Sequence, residues 1–289
     1  MNDLARALLR CDAGAIDVTS PCDTYVGFDS AWTDNPKAPG AVCAMVLKAG
    51  RPVAFHPPRL ASFAQALEFI RGVRSSDGVT LVALDQPTVV RNATSLRPVE
   101  RAAASLVSWL GGGVQPSNTG RVGMFCAASP IWGFLRDLGA HEAPEEARTA
   151  ALGLYLLEVF PALALPSFAP EFFGRCAAPR YNPGRRNTFR LADWTRVAQA
   201  AAQQFDGFGL AEPAQWCQHA ALLPQPRKVD QDRLDAMLCL LVSLHWRLRD
   251  RALSLLLDDL GEGYMVLPAS PEVRRRLVEA ASRMGFSAV

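Results

Sequence analysis

The chain predicts an α/β fold built on a mixed sheet, and three features of its 289 residues carry that expectation. It opens with three short β-branched and aromatic runs separated by turn signals. A segment of helical apolar period follows. A fourth run is then continuously apolar, as in a strand buried on both faces. With 49% apolar and 20% charged residues the chain can bury a sizeable core, which excludes disorder as the dominant state. Its 30 basic and 28 acidic residues leave a formal charge of +2, so overall charge names no partner.

Residues 1–22 carry Asp3, Arg6, Arg10 and Asp12 around a short Leu-Ala run and lack the longer apolar core of a secretion signal. They are expected to be an N-terminal arm, with a single domain over residues 23–289. Tyr25 to Asp29 (YVGFD) reads as the first strand. Ala41 to Lys48 and Pro52 to Phe55 are the next two, joined across the hairpin signal Ala49-Gly50-Arg51. Ser62 to Arg74 places Phe63, Ala66, Leu67 and Ile70 at helical spacing behind a Ser62 cap. Thr80 to Leu84 (TLVAL) is the fourth strand and ends in Asp85-Gln86-Pro87.

Residues 88–148 read as a helical and loop insertion, helical from Pro98 to Leu110, where Gly111-Gly112-Gly113 stops the helix. Leu154 to Phe160 (LYLLEVF) is a fifth strand closed by Pro161, and residues 166–190 read as a basic loop segment. Helices are expected over Leu191 to Phe205 and, most clearly, Val229 to Leu248, where Leu234, Met237, Leu238, Leu241, Leu244 and Leu248 repeat every three to four residues. A short strand Tyr264 to Leu267 and a basic amphipathic helix Pro271 to Met284 end the chain. No apolar stretch reaches the roughly 20 residues of a membrane helix, so no membrane partner is expected. Seven cysteines at scattered spacings fit neither a disulfide framework nor a structural zinc site. They read as free thiols of a reducing cytoplasm.

Two strands end in an acid, Asp29 after YVGF and Asp85 after LVAL. If those strands are parallel neighbours, both carboxylates emerge at the carboxyl edge of the sheet, where open α/β folds place their sites. Glu158 sits inside LYLLEVF, where an unpaired carboxylate is costly, so it needs a cation or an edge position. Asp232 and Asp235 lie three apart on one helix face, after Asp230. The helix dipole accounts for Asp230 and Asp232 at the N-terminus, whereas Asp235 faces the core. A divalent Mg²⁺ or Mn²⁺ shared with Asp29 and Asp85 would explain it, since such ions take oxygen ligands. Paired ions would clamp both oxygens of a phosphodiester displacement. Each acid also has a plainer reading, as a turn residue, a cap or a solvated helix face.

The ordered motifs GFDSAW (Gly27 to Trp32), ALDQP (Ala83 to Pro87), EVFP (Glu158 to Pro161), DRLDAMLC (Asp232 to Cys239) and EGYMVLP (Glu262 to Pro268) resemble the family called domain of unknown function 429. These are predicted nucleases with a ribonuclease H-like fold. The resemblance runs from about Tyr25 to Pro268 and implies a mixed five-stranded sheet flanked by helices, with an acidic metal site. It carries over Asp29, Asp85 and Asp235 as metal ligands, and Glu158 from the EVFP motif as a catalytic candidate. Similarity to the ribonuclease H-like Holliday-junction resolvases adds Asp232. The chain departs from the family pattern at Arg97-Pro98-Val99-Glu100-Arg101, where a Cys-Asp or Cys-Glu is expected after the proline.

Between Glu171 and Arg196 stand Arg175, Arg180, Arg185, Arg186, Arg190 and Arg196, interleaved with Phe172, Phe173, Tyr181, Phe189 and Trp194. Arginine forks match phosphate and exposed aromatics stack on bases, so this segment is the candidate nucleic-acid surface; the alternative is a solvated loop. The four histidines share no metal-ligand spacing, and His245 is expected to be structural. The leading expectation is thus a Mg²⁺- or Mn²⁺-dependent nuclease. An actin-like phosphotransferase is the alternative, weakened by the lack of a second domain copy. A further alternative is a non-catalytic module that binds nucleic acid or protein.

Overall fold

The computed structural model describes residues 21–259 and 261–289, so most of the expected N-terminal arm lies outside the described residues. Five strands, β1 (Cys22–Asp29), β2 (Gly40–Lys48), β3 (Arg51–Ala61), β4 (Val79–Leu84) and β5 (Gly153–Glu158), form one mixed sheet in the order β3-β2-β1-β4-β5. The first three are antiparallel, and β4 and β5 continue parallel to β1. Ala49 and Gly50 at the β2–β3 turn both take positive φ, 49° and 74°, as a tight hairpin requires. β3 runs past Phe55 to Ala61 despite Pro52, Pro57 and Pro58. An edge strand tolerates prolines because one row of its backbone groups is unpaired.

The helices are α1 (Phe63–Val73), α2 (Pro98–Trp109), α3 (Pro130–Leu138), α4 (Pro144–Thr149), α5 (Pro161–Phe168), α6 (Leu191–Asp206), α7 (Ala211–Ala221), α8 (Lys228–Leu248) and α9 (Pro271–Met284). The Ser62 side chain caps α1, accepting from the Gln65 N–H in a reciprocal capping box. Residues 161–168 are helical where the loop segment was expected to begin at 166. Pro161 opens this helix at a position that needs no N–H donor, and Pro166 is accommodated within it. α7 was not anticipated, because its buried positions Ala214, Cys217, Ala220 and Ala221 are small and give little amphipathic contrast.

Alternation along the strands sorts the core. Tyr25, Leu81, Ala83, Tyr155 and Leu157 pack with α5, α6 and α8 on one face. Val26, Phe28, Val82, Leu84, Leu154 and Leu156 pack with α1 and α3 on the other. The segment expected as an insertion therefore supplies α3 to the second face. A second sheet, β6 (Ser254–Asp258), β7 (Tyr264–Pro268) and β8 (Ser287–Ala288), has the order β7-β6-β8 and packs with α2 and α9. Only β7 was expected, since the Leu255-Leu256-Leu257 run of β6 lacks alternation. A parallel bridge between Val159 and Val266 sets this sheet against the β5 edge.

α8 crosses β1 at close range because residue 27 has no side chain. A Cβ on Gly27 would lie 2.0 Å from the Ala236 carbonyl oxygen and 2.5 Å from the Leu240 nitrogen. The Cys43 thiol reaches the same Ala236 oxygen at 3.3 Å. That approach brings the N-terminal half of α8 over the carboxyl ends of β1 and β4.

Candidate active site at the carboxyl edge of the sheet

Asp29 is the last residue of β1, and Asp85 follows β4. The Asp85 N–H donates to the Phe28 carbonyl at 2.9 Å, extending the parallel ladder so that the two acids leave the sheet side by side. Both share the odd-numbered parity of Tyr25 and Leu81, the face that α8 covers. The two acid-bearing segments also lock one another. Trp32 Nε1 donates to the Asp85 carbonyl at 3.0 Å, and the Ser30 hydroxyl donates to Gln86 Oε1.

From α8, Asp235 meets this pair. Its Oδ1 accepts the Tyr181 hydroxyl at 2.8 Å and its Oδ2 accepts Gln231 Nε2 at 2.7 Å. Asp232 lies one turn earlier and pairs with Lys228 Nζ. Asp230 is a cap, accepting from the Arg227 N–H at 2.9 Å and pairing with Arg227 and Arg233.

Burial is the main influence on each of these acids. Burial pushes the Asp29 carboxyl well above the usual carboxylate range, and Asp235 and Asp85 push it further. Asp85 is raised by burial and then by Asp235. Asp235 is pushed up to about 6 by burial, against the opposing charge of Lys228 and the hydrogen bonds of Tyr181 and Gln231. Burial alone would lower Lys228, but Asp29, Asp232 and Asp235 outweigh it and hold the ammonium charged.

Glu158 has the even-numbered parity of Leu154 and Leu156, opposite to Asp29 and Asp85. It receives its cation from Arg97, whose Nη1 and Nη2 lie 3.0 and 2.5 Å from its two oxygens, and the Thr88 N–H adds a bond of 2.9 Å. Arg97 also meets Glu100 at 3.0 Å. All three side chains are buried. The position where the sequence departs from the resembled family's pattern thus supplies the partner of Glu158.

The basic segment divides by residue type. Arg175, Arg180, Arg185, Arg186, Arg190 and Arg196 are exposed, as a nucleic-acid surface requires. The interleaved aromatics correct the expected stacking platform: Phe172, Tyr181 and Trp194 are buried, and Phe173 and Phe189 pack half-buried against the core. Their apolar area serves to cover the helices. Arg196 pairs with Asp193, which also accepts the Arg180 N–H at 2.7 Å. Arg185 lines two cavities beside the acids. His245 is structural, hydrogen-bonded to Ser254 and set between the rings of Phe168 and Phe208.

Sequence reasoning missed Lys228, Gln231, Tyr181 as the holder of Asp235, and Arg97. Lys228 and Gln231 carried a signal, since each stands four residues before the acid it holds, Asp232 and Asp235. As a donor set for a divalent cation, Asp29, Asp85 and Asp235 have suitable chemistry, and beside them the Gln231 carbonyl oxygen is buried with no hydrogen-bond partner among the described residues. Among the described residues no group of three or more His, Cys, Asp or Glu is arranged so that it could hold a metal ion. No described helix is long and apolar enough to cross a membrane. No protein-family model, curated protein or solved structure matches the chain.

Proposed function

We propose that this α/β protein is a ribonuclease H-like, divalent-metal-dependent phosphodiesterase acting on nucleic acid. The observation that supports this most is the meeting of Asp29, Asp85 and Asp235 from β1, β4 and α8 at the carboxyl edge of the sheet, where burial raises all three and the charge of Asp235 raises Asp29 and Asp85 further. Such a cluster opposes folding unless a cation or ligand compensates it, and perturbed carboxyls of this kind gather at functional sites. Asp29, Asp85 and Asp235 would hold Mg²⁺ or Mn²⁺. The ion, when bound, supplies charge stabilisation for a phosphoryl oxygen and a more acidic water.

The chain's own residues then have separable tasks. Tyr181 and Gln231 fix the orientation of Asp235 by occupying one oxygen each. Lys228 neutralises Asp232 and offsets the charge of Asp29. Arg185, exposed at the cavity walls, is placed to hold a backbone phosphate. Glu158, with both oxygens committed to Arg97, positions the start of α2 and the end of β5 and is assigned no proton transfer.

Thermal unfolding with and without Mg²⁺ or Mn²⁺, beside cleavage of DNA and RNA, tests this proposal. The ions should raise the melting temperature and support cleavage, and Asp29→Asn and Asp235→Asn should abolish both responses while the proteins stay folded. Cleavage persisting in those variants would sink it. Lys228 among the acids favours a second reading, a non-catalytic binding module whose lysine takes the cation's place. Nucleic-acid binding with no metal response and no cleavage would establish that reading instead.

A further inference from the structure

The acids stand in a wall between two cavities, of about 270 and about 460 Å³. Asp85, Gln231, Asp235 and Arg185 line both, whereas Asp29, Asp232 and Lys228 line only the larger. The smaller cavity is walled by Val107, Leu110 and Leu165, with Phe172, Tyr181 and Asn182. Its wall is tied down by backbone bonds, the Ala178 N–H to the Leu110 oxygen at 2.7 Å and the Gly112 N–H to the Val107 oxygen at 2.8 Å.

Resting on the phosphodiesterase reading, we propose that the smaller cavity receives one unstacked nucleobase of the strand whose phosphate lies at the acids, so that the substrate is single-stranded nucleic acid. Size argues for one ring system. Small-molecule sites run from roughly 300 to 1,000 Å³, and a cavity at the lower end of that range has no room for a base pair. The lining argues for a base over other small groups. Its aliphatic and aromatic walls suit a ring face, while Gln231 in the same lining donates its amide to Asp235 and keeps a carbonyl oxygen that is buried and unpartnered among the described residues. Base edges carry N–H groups that such an oxygen accepts. A hydrocarbon tail would leave it unsatisfied, and a free phosphate would gain nothing from the apolar wall. Tyr181 links the two functions, since its ring lines the cavity and its hydroxyl holds Asp235. A base in this cavity therefore sets the adjoining phosphate beside the metal-binding acids, with Arg185 at hand for the backbone.

Gly113 offers a way to close the cavity. It lines both cavities, and a Cβ added there meets no atom within 4 Å, so a side chain can leave the backbone at this point without a clash. Binding is measured by fluorescence anisotropy on full-length Asp29→Asn protein with labelled single-stranded DNA, single-stranded RNA and a duplex of the same sequence. A set of single strands each lacks one base. Single strands should bind on the order of tenfold more tightly than duplex, and loss of the base at one position should weaken binding on the order of tenfold. Adding Gly113→Trp should remove that position-specific penalty and the preference for single strands. The same substitution in the otherwise unaltered chain should leave its melting temperature and its response to Mn²⁺ in place. If Gly113→Trp does not fold, Asn182→Ala takes its place and should lessen the position-specific penalty. Equal binding of single strand and duplex, a flat profile across the abasic set, or an unchanged profile in the cavity-filling variant overturns the proposal. Cleavage with such a flat profile sinks the base cavity alone. Position-specific binding without cleavage sinks the phosphodiesterase reading alone, and no binding of any strand sinks both.

Discussion

Replacing Arg97 by methionine should be among the most damaging single changes in the protein. The Arg97 side chain is fully buried, and it holds Glu158 through two contacts, Glu100 through a third and the Val89 carbonyl at 2.9 Å. Methionine approximates its stem and removes its charge, leaving two carboxyl groups in the interior without their cation. Breaking a buried pair in this way costs about 3 to 5 kcal/mol, set against a total stability of about 5 to 15 kcal/mol for a typical domain. Urea unfolding at pH 7 measures the loss. The pH dependence identifies its cause. Burial already raises Glu158, with Arg97 as the main opposing influence, so removing Arg97 raises it further. A carboxyl whose folded value lies above its unfolded one is penalised while ionised, and the penalty fades as pH falls through the folded value. The cost of Arg97→Met should therefore shrink between pH 7 and pH 5. Combining it with Glu158→Leu and Glu100→Leu should recover much of the loss, since apolar replacement of a whole buried ion group is often neutral or better. A loss below about 1 kcal/mol at pH 7 would refute the reasoning, as the contacts would then be supporting little.

Gly27→Ala should destabilise by about 3 kcal/mol or more, because its Cβ would overlap the backbone of α8 at 2.0 Å; chemical unfolding gives the size, and an intact metal response in that variant would show that α8 need not approach so closely. Asp29→Asn should raise the melting temperature at pH 7, since it removes a buried charge that Asp235 and Asp85 repel; an unchanged or lower value would mean that Lys228 already compensates the cluster. Lys228→Gln should have the opposite effect on unfolding at neutral pH, because Asp232, Asp29 and Asp235 lose their nearby cation. His245 is pushed down to about 4 by burial and then by Arg249 and Arg148. Below about pH 6.5 the unfolded chain binds a proton there that the folded chain refuses, so His245 contributes up to about 3 kcal/mol of stability that is lost as pH falls toward 4. Calorimetry across that range should show a shallower loss in His245→Gln.

The strand order and the two acids at strand ends were legible because they depend on local signals. Apolar runs, the turn at Ala49-Gly50 and the acids that close YVGFD and LVALD all lie within a few residues. Asp235 was legible because the period of α8 runs on past it, leaving a carboxylate on an apolar face. Arg97 was not, since the carboxylate it holds is 61 residues away and nothing beside an arginine before a proline foretells that partner. The arginine segment was read with its aromatics as one surface. Packing separated them, because rings gain by leaving water and guanidinium groups lose by it. The small sheet was half visible, since a run of three leucines has no period by which to distinguish strand from helix.

By itself the sequence determined the five strands, the long helix and three acids whose positions converge, all of them consequences of side-chain periodicity along a single element. Tertiary structure decided which acids share a face, which have cations, and that a cavity adjoins them. Those outcomes depend on how near two elements come, and here a missing side chain at Gly27 and a buried charge on Arg97 control the distance.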